Sequence, residues 1–286
     1  MGGLASAALF SVLVTAAIMI VLGKEALHFF SMEETSVGEF FFTLEWSPLL
    51  GAEKKFGIWP LIGGTMLVTV VAMVIALPLG LITAVYLSEY APPKLRAVLK
   101  PTLEVLAGIP TVVYGFFALV FLTPALQWMH EGFGAYNAAA AGIAVGVLCI
   151  PIVSSLCEDA LRAVPQSLRD GALGLGGTKF DVSVKVVLPA ALSGIVSAFL
   201  LAIARAIGET MIVALAAGAT PQLTADVRES IQTMTGFMVQ MALGDVTNFG
   251  VEYYSMYAVA ATLFVITFTL TVIGQLVRRR FREEYQ

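Results

Sequence analysis

The chain has 286 residues, 58% of them apolar and 13% charged, with a mean hydropathy of +0.89. Soluble domains carry about 25% charged residues, so these proportions exclude a water-covered globule, and a net charge of −4 argues against nucleic acid as a partner. The two cysteines, Cys149 and Cys157, are too few for a disulfide framework or a zinc site.

An apolar run of about 18 or more residues is long enough to cross a bilayer, and six such spans are predicted along the chain. The first covers about Leu4 to Leu22. No Lys or Arg precedes it and no small-x-small cleavage site follows it, so it reads as a retained span and not a signal peptide. The segment beyond it collects Glu25, His28, Glu33, Glu34, Glu39, Glu45 and Glu53. It reads as a solvated loop, or as part of a docking surface for an external partner. Residues 1–57 thus form a first span with its external loop, and residues 58–286 the remaining core.

Within that core the second span covers about Ile58 to Leu87 and the third about Leu103 to Trp128. The fourth runs from Asn137 to Cys157, the fifth from Pro189 to Gly218 and the sixth from Met256 to Val277. His130 falls in a loop without ligand-spaced partners, and no metal site is expected. Pro78, Pro110 and Pro124 lie within spans, where neighbouring groups can satisfy the freed backbone. Gly142 and Gly146 form a GxxxG pair in the fourth span, a spacing that serves packing inside one bundle as well as dimerisation.

Basic residues set the orientation. Lys94, Arg96 and Lys100 lie between spans two and three, and Arg162, Arg169, Lys179 and Lys185 between spans four and five. Arg278, Arg279, Arg280 and Arg282 follow span six, whereas the opposite side holds Lys24, Lys54, Lys55 and Arg228. This asymmetry puts both termini in the cytoplasm, and it leaves Arg205 inside the membrane.

The loop between spans four and five, at about 158–189, has its own helical pattern. Leu161, Leu168, Ala172 and Leu175 recur at helical spacing, and Pro165 suits a first helical turn. Gly176 and Gly177 supply a stop. Thr178, with Asp181 three residues on, has the form of a capping box opening a second helix that carries Phe180, Val184 and Val187. Helix, glycine turn, helix is a compact rigid unit suited to transmitting force to something outside the membrane.

In span five, Arg205 and Glu209 stand in an otherwise apolar segment. A central Arg costs roughly 2.5–3.5 kcal/mol on insertion scales. Four residues apart on a helix, the two share a face and partly neutralise each other. Two readings stay open: an ion pair that locks helices together, or a translocation-path site in which the guanidinium attracts an oxyanion. Thr111 and Tyr114 in span three are polar residues that line a path or pack with local hydrogen bonds. No residue has the setting of a catalytic group: there is no Walker A sequence and no HExxH.

Asp170-Gly171-Ala172, Gly176 and Val186-Val187-Leu188-Pro189 fit the spacing E-A-A-x3-G-x9-I-x-L-P of the cytoplasmic loop in ABC importer permeases. Asp replaces the usual Glu, Gly the first Ala and Val the Ile. The chain also resembles the PstC-type phosphate permease subunits in four segments, 56–62, 106–117, 158–165 and 205–210. The resemblance implies an all-α type I ABC importer permease fold with six transmembrane helices in a prokaryotic inner membrane. It implies a second, homologous permease subunit, two copies of an ATP-binding subunit that carry the ATP and Mg, and an external phosphate-binding protein, with no cofactor in this chain. It further implies that Asp170, Gly171, Ala172, Gly176, Leu188 and Pro189 belong to a segment that docks on the ATPase, and that Arg205 and Glu209 serve phosphate transport. The same machine for molybdate, sulfate or phosphonate is the nearest alternative. An ion-coupled carrier would leave the loop unexplained, and an intramembrane enzyme would lack its catalytic groups.

Overall fold

A computed structural model describes residues 2–48, 54–244 and 250–280. Helix α1 (Gly2–Phe30) is 29 residues long. At about 1.5 Å per residue it exceeds the hydrocarbon thickness, so the helix continues past Leu22 and carries His28 in its last turn, where a loop is predicted. The His28 ring meets Tyr254 edge-on at 4.6 Å.

The external segment is more than a solvated loop. Helix α2 (Val37–Phe42) is capped by the Ser36 hydroxyl, which accepts from the Gly38 N–H. Strands β1 (Trp46–Ser47) and β2 (Lys55–Phe56) pair antiparallel, with Trp46 opposite Phe56. Phe29, Phe40, Trp46, Phe56 and Phe237 pack edge-to-face into a buried cluster, the geometry that aromatic quadrupoles favour. Two of the acids are paired, Glu34 with Lys54 at 3.2 Å and Glu45 with Lys55 at 2.5 Å. Glu53 lies outside the described residues.

The second span, α3 (Trp59–Val85), passes Pro78 and ends in a π-helical turn at Tyr86–Tyr90. The third span departs from expectation. Leu103 to Ala107 belong to a separate amphipathic helix, α4 (Pro93–Ala107), none of whose residues is fully buried. Gly108 and Pro110 end it, since the residue before a proline is pushed out of the helical region. The span itself begins at α5 (Thr111–Phe117), passes a π-helical turn at Ala118–Leu122 and closes with α6 (Thr123–Met129).

The fourth span, α7 (Ala138–Arg162), is capped by Asn137, whose side-chain oxygen accepts from the Ala140 N–H at 2.8 Å. The cytoplasmic loop holds α8 (Gln166–Gly174), α9 (Lys179–Val182), a π-helical turn at Ser183–Val187 and α10 (Leu188–Ala190). From there the chain bends by 70° into α11 (Leu192–Ile207). The fifth span is therefore not one helix from Pro189 to Gly218. It breaks again at Gly208–Thr210 before α12 (Met211–Ala216), because Gly208 favours a helix end and Glu209 supplies a polar group that the next helix start can use.

Beyond α12 the chain folds back across the external end of the bundle. Ala138 N–H donates to the Glu229 carbonyl at 3.1 Å and Ala139 N–H to that of Val227 at 2.9 Å. These bonds occupy donors that a helix start leaves without intrahelical partners. Helix α13 (Met234–Leu243) follows, and the sixth span is α14 (Val251–Arg280), against which α1 packs. Arg282 lies outside the described residues.

The bundle is organised on the contact between α3 and α7. A Cβ added at Gly142 would lie 3.2 Å from the Val68 carbonyl oxygen, and one at Gly146 2.9 Å from that of Ala72. Facing them, a Cβ at Gly80 would lie 2.6 Å from the Val153 side chain. The GxxxG pair thus brings two spans of this chain into backbone contact, as small residues do where lipid supplies no hydrophobic drive.

Candidate functional site: a charged helix break and a cytoplasmic segment

The break in the fifth span falls between the two membrane-embedded charges. Arg205 stands in the last turn of α11, and Glu209 lies past the helix end, not one turn along a continuous helix. They still meet, with Nη1 of Arg205 2.5 Å from Oε2 of Glu209. Glu209 also bridges the break: its Oε1 accepts from the Ile212 N–H at 3.4 Å, and its carbonyl accepts from the Thr235 hydroxyl at 2.6 Å. A carboxylate beside the first N–H groups of a helix is favourable, so the acid fixes the geometry of the turn. Burial divides the roles, since the Glu209 side chain is 2% exposed and that of Arg205 37%. The acid is enclosed by protein, and the Arg205 side chain is partly exposed.

Thr111 and Tyr114 lie on the first turns of α5, which packs against α12. A Cβ at Gly115 would lie 3.1 Å from the Ile212 Cα, so this glycine allows α5 to approach the helix following the break. The Tyr114 hydroxyl donates to the Leu106 carbonyl at 3.0 Å. It thereby tethers α5 across the Gly108–Pro110 break, a packing role; Thr111, half-buried, opens α5 after Pro110.

The cytoplasmic segment has the helix–turn–helix form read from its sequence. Pro165 precedes α8, which ends before Gly176, and Gly176 adopts a φ of +88°, a left-handed conformation that glycine tolerates without a Cβ penalty. The Gly177 N–H donates to the Ala172 carbonyl at 3.1 Å. Both halves of the Thr178–Asp181 capping box are formed. Lys185, at 2.6 Å, and Thr178 hold the Asp181 carboxyl at about 2, below the usual carboxylate range. Leu188 and Ala172 pack against the core, whereas Asp170, Gly171, Gly176 and Pro189 are exposed.

Gly171 has nothing within 4 Å of its added Cβ. Gly171→Ala is therefore expected to stabilise α8 by about 1 kcal/mol, read as about fivefold slower amide exchange in that helix.

One cluster was not singled out from the sequence. Glu158 of α7 is fully buried and receives Arg96 at 2.5 Å and Lys100 at 3.2 Å, both from α4. Lys100 also meets Asp159 at 3.1 Å, and these two acids hold its ammonium above the usual lysine range against desolvation. The signal was a pair of adjacent acids at the cytoplasmic end of an apolar helix. Their partners are about sixty residues away, and only folding brings them into register.

Comparison with known proteins gives a consistent result. Residues 76–283 match the family model described as "Binding-protein-dependent transport system inner membrane component". The chain is 34% identical to a Bacillus subtilis (strain 168) protein described as "Probable ABC transporter permease protein YqgH", over 93% of this chain and 85% of that one. It is 30% identical to the phosphate transport system permease protein PstC of Xylella fastidiosa (strain Temecula1), over 95% and 90% of the two chains. Among solved structures it resembles a bacterial alginate ABC transporter in complex with an alginate-bound periplasmic protein, with a TM-score of 0.66, 14% identity and coverage of 97% and 96%. That last likeness establishes a shared fold. The multi-pass helical architecture and the match over most of the chain agree: this chain belongs to the family of binding-protein-dependent transport system inner membrane components.

Proposed function

We propose that the chain is the permease subunit of an ABC importer that moves inorganic phosphate into the cell, working beside a second, homologous permease subunit. Two copies of an ATP-binding subunit would supply the hydrolysis, with ATP and Mg bound there, and an external binding protein would deliver phosphate. The observation that carries this reading is the segment from Asp170 to Pro189. It is a helix–turn–helix that turns several apolar side chains outward, with Leu173 45%, Leu175 92% and Phe180 66% exposed. Apolar groups on a cytoplasmic face call for a protein partner, and an ATPase subunit is the partner that an importer needs there.

Substrate class is supported by Arg205, whose planar fork matches tetrahedral oxyanions, and by the phosphate permeases among the relatives. Glu209 limits how tightly an anion is held, which favours release over trapping. The test is uptake of labelled phosphate into vesicles containing the assembled complex, with sulfate or molybdate in excess. The expected result is uptake that requires ATP and ignores the competitors. Competition by either anion would keep the machine and change its substrate; uptake without ATP would overturn the importer reading.

A further inference from the structure

Helix α8 poses a mechanical problem. None of its nine residues is fully buried, and Leu168 and Leu173, like Leu175 just past its end, are exposed. A cleft of about 680 Å³, lined among others by Arg96, Lys100, Gln166, Arg169 and Leu173, separates it from α4. Apolar packing to the membrane bundle is thus slender, and Ala172 contributes the partly buried contact. A helix so loosely packed would rotate under load without moving the spans above it.

One side chain of α8 goes inward instead. Arg169 is 12% exposed and faces Glu89, itself 11% exposed, at 3.0 Å through Nη2 and 3.3 Å through Nε. The same guanidinium donates to the Val164 carbonyl at 2.6 Å and to the Leu161 carbonyl at 2.8 Å. The Leu161 carbonyl belongs to the last turn of α7 and that of Val164 lies just past it, where the helix dipole favours a cation. Glu89 sits in the π-helical turn that ends the second span and is fixed by the Ser88 hydroxyl at 2.8 Å. The π-helical turn in the second half of the loop touches the same place, through Ser183 and the Tyr90 hydroxyl at 3.5 Å.

We propose that Arg169 is the positioning residue that couples α8 to the second and fourth spans, its guanidinium carrying displacement of the cytoplasmic segment into α3 and α7 together. This rests on the reading of the segment as an ATPase dock. The planar fork is essential: it reaches a carboxylate and two carbonyls at once, which a lysine ammonium cannot do in the same geometry. The pair is little exposed although it borders the cleft, and four bonds converge on one group, so the link is stiff where the rest of α8 is not.

The test compares wild type, Arg169→Ala, Arg169→Lys and Glu89→Gln in the assembled, vesicle-reconstituted complex with its ATPase and binding protein, reading ATP hydrolysed per phosphate imported. The expected result for Arg169→Ala is hydrolysis within about twofold of wild type with uptake reduced at least about tenfold, so the ratio rises by about tenfold or more, the order of a lost charge-assisted bond. Arg169→Lys and Glu89→Gln should raise the ratio less. If Arg169→Ala fails to assemble, those two milder variants decide by the same ratio. Hydrolysis and uptake falling in parallel, or an unchanged ratio, would overturn the proposal and leave Arg169 a purely structural residue. Failure of the underlying importer reading would show separately, as wild-type uptake that does not depend on ATP.

Discussion

Arg205→Ala is expected to lower ATP-driven phosphate uptake by about thirtyfold or more, because a charge-assisted contact to the anion is worth about 2 kcal/mol. The single change also strands Glu209, whose side chain is 2% exposed. Removing one partner of a fully buried pair costs roughly 3–5 kcal/mol, mostly through the charge left behind, and the partly exposed Arg205 brings the cost below that. Reduced assembly would therefore accompany the loss of uptake, and the single variant alone does not separate a path role from a structural one. The double variant Arg205→Ala with Glu209→Ala does. It removes both charges, so assembled complex should return toward the wild-type amount while uptake stays low. Recovery of uptake together with assembly would make the pair a helix lock and remove Arg205 from the path. Arg205→Lys refines the test: it keeps the charge and loses the fork, and is expected to retain assembly with weakened uptake.

The other large effect lies away from any charge. Gly146→Leu places a branched side chain where a Cβ alone would already be 2.9 Å from the Ala72 backbone oxygen. Backbone cannot rotate aside as a flexible side chain can, so α3 and α7 must separate. Overpacking of this kind costs about 1–3 kcal/mol for added methylenes, and a backbone obstacle places this substitution at or above the upper end. The expected outcome is a fall in assembled complex and an earlier thermal aggregation in detergent. Val147→Leu, one residue along at a half-exposed position, serves as the control and should be close to neutral. Equal behaviour of the two would mean that the α3–α7 contact is looser than its geometry.

The sequence by itself determined the class, the approximate spans, their orientation by basic residues and the form of the cytoplasmic segment. Those signals are local: apolar runs, a capping box of Thr178 and Asp181, and a glycine at the one turn position whose φ is +88°. Each depends on residues within a few positions of one another, so pattern and structure coincide.

Tertiary structure decided what depends on distant partners or competing local choices. Pro110 divided the third span by pushing the residue before it out of the helical region, which leaves Leu103 to Ala107 in α4; composition cannot mark where a helix leaves the bilayer. Gly208 interrupted the fifth span while Arg205 and Glu209 kept the contact that an unbroken helix would also have given. Glu158 found Arg96 and Lys100 in α4, and Arg169 found Glu89, eighty residues earlier in the chain. A charge in sequence carries no record of its partner; low-dielectric burial makes pairing obligatory, and only the packing of α3, α4, α7 and α8 selects which groups meet.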